Sequence, residues 1–225
     1  MIPLKSTEPV YSTAKVTASL IAVNMAVFLY QLTLPSYALN RFVEEWGIVP
    51  DRLHPVALIT SMFLHGGWMH ILGNMLFLWV FGRNVEDLIG PGRFLVFYLV
   101  CGLAAAVVQV IANVYSPVPT IGASGAIAGV MGAYLVKFPR ARIVTLLFIL
   151  LFITTIDIPA ALLLLFWFGM QFLNGIGSLA ETDYSGGGVA WFAHVGGFLT
   201  GMLLIRAFPE RRRWRTWRSW DQDRY

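Results

Sequence analysis

Uncharged apolar runs of membrane-crossing length set the first limit on this fold. Val16 to Leu34, Leu64 to Phe81, Phe94 to Val114 and Pro159 to Ile176 contain no Asp, Glu, Lys or Arg. A helix needs ~20 mostly apolar residues to cross ~30 Å of hydrocarbon. Charged residues make up 12% of the 225-residue chain, about half the ~25% of a soluble domain, so lipid is the expected solvent. Two further runs, from Ala123 to Lys137 and from Val189 to Phe208, complete the expectation: an all-α membrane protein with six transmembrane helices in one bundle.

The connections are distinct in composition. Pro35 to about Ile59 holds Arg41, Glu44, Glu45, Trp46, Asp51, Arg52 and His54. It is too polar to span and too aromatic for a plain linker, and is expected to fold onto the membrane surface. The second span ends in Gly82 to Asp87, and Gly90-Pro91-Gly92-Arg93 breaks the chain. Ile143 to Ile156 is apolar but short, rich in β-branched and aromatic residues, and flanked by Arg142 and Asp157. It reads as interfacial or tucked under the bundle, not as a crossing. Glu181 to Gly188 reads as a flexible glycine-rich loop. The resulting organisation is a cytoplasmic N-terminal segment (1–15), a six-span domain (16–208) and a basic, aromatic cytoplasmic tail (209–225).

Charge supports this topology. With the N-terminus inside, only Arg41 and Arg52 of the 16 Lys and Arg residues fall outside. Lys5 and Lys15 precede the first run with no small-residue cleavage site after it, which reads as a retained signal-anchor. The compact form suggests a bacterial inner membrane. The net charge of +4 lies in loops and at one terminus, so lipid headgroups are the expected partner and nucleic acid is not. The single cysteine, Cys101, excludes a disulfide framework. No cofactor is expected. No metal is expected either, because His65 and His70 diverge around a helix and lack a third ligand.

Polar groups within spans are costly and therefore candidates for function. Four stand out: His70, Asn74, Ser124 and His194. His70 and Asn74 are four apart and share a helix face, as interhelical hydrogen-bond glue or as functional donors. Ser124 lies in Gly122-Ala123-Ser124-Gly125, at a helix start where free N–H groups and the dipole favour negative charge. The pattern lacks the GxSxG spacing of soluble hydrolases. Gly125 and Gly129 form a small-residue packing face, and Gly197 and Gly201, with Ala190 and Ala193, form another beside His194. Packing these faces together would bring Ser124 toward His194 as nucleophile and base. No carboxylate is placed to orient His194, so a dyad is expected, not a triad.

These residues resemble the rhomboid family of intramembrane serine proteases. The resemblance rests on His65-x4-His70-x3-Asn74, Gly122-Ala123-Ser124-Gly125, and Ala193-His194-x2-Gly197-x3-Gly201, and runs from about Trp46 to Phe208. It implies a rhomboid-type bundle with Ser124 as nucleophile and His194 as general base. His70, Asn74 and the Ser124 N–H would form the oxyanion hole, in a water-filled cavity open to the outside. The fifth span, with Trp167 and Phe168, and the loop after it look like the family's lateral gate and cap. Two positions depart from the common pattern. Ala128 stands where many members carry a tyrosine stacked on the histidine, and Gly47 follows Trp46 where many carry an arginine. An aromatic from elsewhere could replace the tyrosine. The expected activity is endoproteolysis of single-pass membrane proteins. The alternative is a non-catalytic member that binds membrane clients.

Overall fold

The computed structural model describes residues 2–149, 152–178 and 190–211. The expected loop at 181–188 and the tail beyond Arg211 lie outside the described residues. The helices are α1 (Lys15–Thr33), α2 (Ser36–Trp46), α3 (Ala57–Thr60), α4 (Trp68–Phe77), α5 (Arg83–Ile89), α6 (Pro91–Ala112), α7 (Ser124–Lys137), α8 (Ala160–Ser178) and α9 (Trp191–Leu204). A π-helical turn, Leu78–Gly82, joins α4 to α5. By length and composition, α1, α6 and α8 are able to cross a membrane. Their exposed faces are apolar, with Leu29, Ile111, Leu162 and Leu173 all more than half exposed. Such surface is stable against lipid and costly against water.

The innermost helix is α7. Every residue from Gly125 to Leu135 is buried, which fits a segment made largely of Gly, Ala and medium aliphatics. Its closest neighbour is α9, and the approach is backbone to backbone. A Cβ added at Gly197 would stand 2.0 Å from the Gly125 carbonyl oxygen, and one at Gly201 would stand 1.9 Å from that of Gly129. On its other side α7 meets α6, where a Cβ at Gly125 would stand 2.6 Å from that of Ala105. Small residues admit this spacing, and dispersion across the seam then holds the helices together in lipid.

The fold is not all-α. Three strands, β1 (Ile2–Ser6), β2 (Arg142–Ile149) and β3 (Phe152–Pro159), form an antiparallel sheet in the order β1-β2-β3. The stretch expected to lie flat or tucked under the bundle is thus a strand pair, in register from Arg142↔Pro159 to Ile149↔Phe152. Its composition explains this, since Ile143, Val144, Thr145, Thr154, Thr155, Ile156 and Ile158 favour a pleated backbone. Burial alternates accordingly: Ala141, Ile143 and Thr145 face inward, and Arg142 faces out. The first residues of the chain supply the third strand, and buried Ser6 hydrogen-bonds Tyr134 of α7 at 2.5 Å.

The Gly82–Asp87 stretch, read as the end of a span, is helical: Gly82 closes the π-helical turn and residues 83–87 open α5, buried from Asn84 onward. Two carboxylates are tolerated there because the start of α1 needs acceptors. Glu86 accepts from Val16 N–H (2.9 Å), Thr17 N–H (2.7 Å) and the Thr17 hydroxyl (2.7 Å). Asp87 accepts from Tyr11 N–H at 2.9 Å and from the Ser12 hydroxyl, and Arg211 lies 3.9 Å away. The segment before α1, α5 and the residues after α9 therefore meet at the end of the bundle that carries the sheet.

Candidate active site

Ser124 is the first residue of α7, and the chain leading into it is clamped. Thr120 and Ile48 exchange backbone hydrogen bonds of 2.7 and 3.0 Å, and Gly122 N–H donates to the Ser61 carbonyl at 2.8 Å. The first clamp comes from the mixed segment after α1 and the second from Ser61 just past its end, so the connection between α1 and α4 fixes the entry to the serine. Gly122 has φ = 124°, a conformation that disfavours side chains. A Cβ there would also stand 2.7 Å from His70 Nε2.

His194 lies in the first turns of α9 and is buried. Its Nε2 is 2.7 Å from the Ser124 hydroxyl. The α7–α9 glycine seam runs directly below, so the small residues set the distance between the two groups. Its Nδ1 is 2.6 Å from Oε1 of Gln171 on α8. Trp167, one turn earlier on α8, lies over the ring with centroids 5.6 Å apart and planes at 41°. Trp191 meets the ring edge-on at 6.4 Å. The aromatic missing at Ala128 is thus matched by Trp167 from another helix.

His70 and Asn74 face the same spot from α4. His70 Nδ1 accepts from Gly66 N–H at 3.4 Å, which leaves the proton on Nε2, toward Gly122. Asn74 Nδ2 hydrogen-bonds His65 Nε2 at 3.0 Å and lies 3.7 Å from the position a Cβ on Gly122 would take. His65 is pinned in turn by Gln31 of α1, which accepts from His65 N–H at 3.0 Å and donates to its carbonyl at 3.3 Å. The rings of His65 and His70 pack edge to face, 5.0 Å apart. His70, Asn74, Ser124 and His194 all open on one cavity of about 680 Å³, walled also by Phe77 and Met131. An apolar cleft with a few convergent polar groups suits a peptide segment better than a charged solute.

Residues 52–211 match the family described as the rhomboid domain. The chain belongs to the rhomboid family. It is similar to the rhomboid protease GluP of Bacillus subtilis, with 33% identity over 150 residues, covering 67% of this chain and 25% of that protein. It is also similar to the mitochondrial rhomboid protein 1 of Saccharomyces cerevisiae, at 28% identity over 82% of this chain and 51% of the relative. The mitochondrial presenilin-associated rhomboid-like protein of Homo sapiens is 27% identical over 66% of this chain and 36% of its own length. The chain therefore spans from a quarter to about half of these relatives. A rhomboid domain on apolar helices makes it a membrane protein. Relatives drawn from a bacterium and from mitochondria give no support to the bacterial inner membrane in particular.

Sequence reasoning passed over three glutamines of this rhomboid site. Gln171 reaches His194, Gln31 holds His65, and Gln109 of α6 accepts from Ala193 N–H at 3.1 Å. Each lies in an otherwise apolar run and is buried, the same signal that singled out Asn74.

Proposed function

We propose that this rhomboid is an intramembrane serine endopeptidase that cleaves transmembrane-anchored proteins through a Ser124–His194 dyad. The observation that carries the reading is the 2.7 Å contact between His194 Nε2 and the Ser124 hydroxyl, at the wall of a cavity large enough for a peptide segment. The Ser124 oxygen attacks the scissile carbonyl as His194 takes its proton. The tetrahedral oxyanion is held by the Ser124 N–H at the start of α7, by His70 Nε2–H and by Asn74 Nδ2–H. His194 then protonates the departing amine, and water entering the cavity hydrolyses the acyl-enzyme with His194 again as base.

The proposed topology is six crossings, by α1, α4–α5, α6, α7, α8 and α9, with both termini cytoplasmic. The meeting of Ser12, Asp87 and Arg211 at one end supports an even number of crossings. Lys137, Arg140 and Arg142 lie at that same end, as the positive-inside rule requires. The 14-residue α7 rises only ~21 Å. With Lys137 at the inner boundary, Ser124 stands below the outer surface, where substrates meet it within the membrane thickness. Since helical peptide groups are shielded by their own hydrogen bonds, substrates should carry helix-destabilising or small residues near the outer face.

Labelling of the purified protein by a fluorescent phosphonate tests this reading. Labelling that requires both Ser124 and His194 supports the protease. Folded wild-type protein that takes no label overturns it, in favour of a binder of membrane clients.

A further inference from the structure

Among the described residues lining the cavity there is no carboxylate, yet His194 is held at both ring nitrogens. Its Nε2 faces Ser124 and its Nδ1 faces Oε1 of Gln171. In a neutral imidazole one nitrogen donates and the other accepts. An amide oxygen at Nδ1 can only accept, so it draws the proton there and leaves Nε2 free to receive the serine proton. Gln171 is only 8% exposed. It belongs to the buried stripe of α8, with Ala160, Leu164 and Gly175, and a Cβ on Gly175, one turn on, would meet Trp191 and Phe192 of α9. Trp167, four residues earlier on α8, covers the same ring.

We propose that Gln171 is a positioning residue that fixes the tautomer and aim of His194, so that the orienting group of the dyad sits on α8. This rests on the reading of Ser124 and His194 as nucleophile and base. An amide does the work differently from the carboxylate of a triad. It is neutral, so it adds no charge to stabilise the imidazolium. Its two ends also give opposite results. Turned through 180°, the NH₂ group would donate to Nδ1 and force the proton onto Nε2, where it blocks acceptance from Ser124. Because α8 contributes both Gln171 and Trp167, a shift of α8 away from α9 would release the base from both restraints at once.

The test uses the full-length protein and a fluorescent phosphonate, with the inactivation rate at saturating probe separated from probe affinity. Gln171→Met keeps the length and removes the acceptor, Gln171→Leu is a second such variant, and Gln171→Glu restores an acceptor. Met or Leu should slow inactivation roughly 10- to 100-fold, at or below the ~10²–10⁴-fold that a general base contributes in full, with affinity unchanged and only a modest drop in the thermal melt for the unpartnered His194 Nδ1. Glu should recover the rate to within about tenfold of wild type. In protein with ¹⁵N-labelled histidine, the His194 ring should report Nδ1–H in wild type and a mixture of tautomers in Gln171→Met. Equal rates in wild type and Gln171→Met, or equal losses in Met, Leu and Glu, would overturn the positioning role. Absence of labelling in wild type would instead remove the dyad reading beneath it.

Discussion

Gly201 of α9 rests against the backbone of Gly129 in α7: a Cβ on Gly201 would lie 1.9 Å from the Gly129 carbonyl oxygen and 2.6 Å from its Cα. Neither atom belongs to a flexible side chain, so only the helices can yield. His194 lies two turns earlier on the same face of α9, and its distance to Ser124 depends on the same seam. Gly201→Ala should therefore lower stability by about 2 kcal/mol or more and reduce phosphonate labelling with it. Gly169 of α8 is the control, because a Cβ there meets nothing within 4 Å. Gly169→Ala should be neutral or stabilising by up to ~1 kcal/mol. Equal thermal shifts in the two variants would contradict the packing account.

The dyad gives a sharper expectation. Ser124→Ala removes the attacking oxygen and leaves the packing intact, whereas His194→Ala removes its proton acceptor and also empties a buried ring site beside Trp167 and Gln171. Each should lower cleavage and labelling by at least about 10³-fold; Ser124→Ala should melt close to wild type, and His194→Ala should lose about 1–3 kcal/mol of stability for the unpartnered Gln171 oxygen. The double variant should be no worse than either single one, because the two groups act as a unit. Cleavage that survives in purified Ser124→Ala would rule out the mechanism.

How much of this was legible in the sequence depended on the kind of signal each residue leaves. Ser124, His70, Asn74 and His194 are polar groups in apolar runs, and helical spacing relates His70 to Asn74. The two glycine faces on α7 and α9 are equally plain, and the structure shows them in contact. The strand pair was less legible. An apolar run of this length between charges fits a strand, a buried helix or an interfacial segment, and the pairing of Ile2 with Leu146 joins residues from opposite parts of the chain. Gln171 was missed for another reason. A lone glutamine in a span has many partners open to it, and only the crossing of α8 over α9 selects His194.

His70 and Asn74 should be separable by what else each one touches. If both stabilise the oxyanion, alanine at either position should lower kcat by ~10²–10³ with a smaller effect on KM. Asn74→Ala also leaves His65 Nε2, inside the fold, without its 3.0 Å partner, so it should lose about 1–3 kcal/mol of stability besides. His70 gives up a weak bond from Gly66 N–H, at 3.4 Å, and its edge-to-face contact with His65, and should lose less, about 1 kcal/mol. A large fall in KM-dependent binding with kcat unchanged would assign these residues to substrate holding instead.

Glu86 separates stability from catalysis at the other end of the bundle. It is 1% exposed, and its carboxylate satisfies two backbone N–H groups and one hydroxyl at the start of α1. Alanine there would leave those donors buried without an acceptor and would take a favourable negative charge from the helix N-terminus. Charge-assisted bonds of this kind are worth ~1.5–3 kcal/mol each, though not additively, so Glu86→Ala should cost about 2–4 kcal/mol. Ser124 and His194 are far from this end and would keep their contact. At a temperature where the variant is still folded, phosphonate labelling should therefore proceed at the wild-type rate while the thermal midpoint falls. A variant that melts normally but labels slowly would mean that the carboxylate acts on the dyad and not on α1.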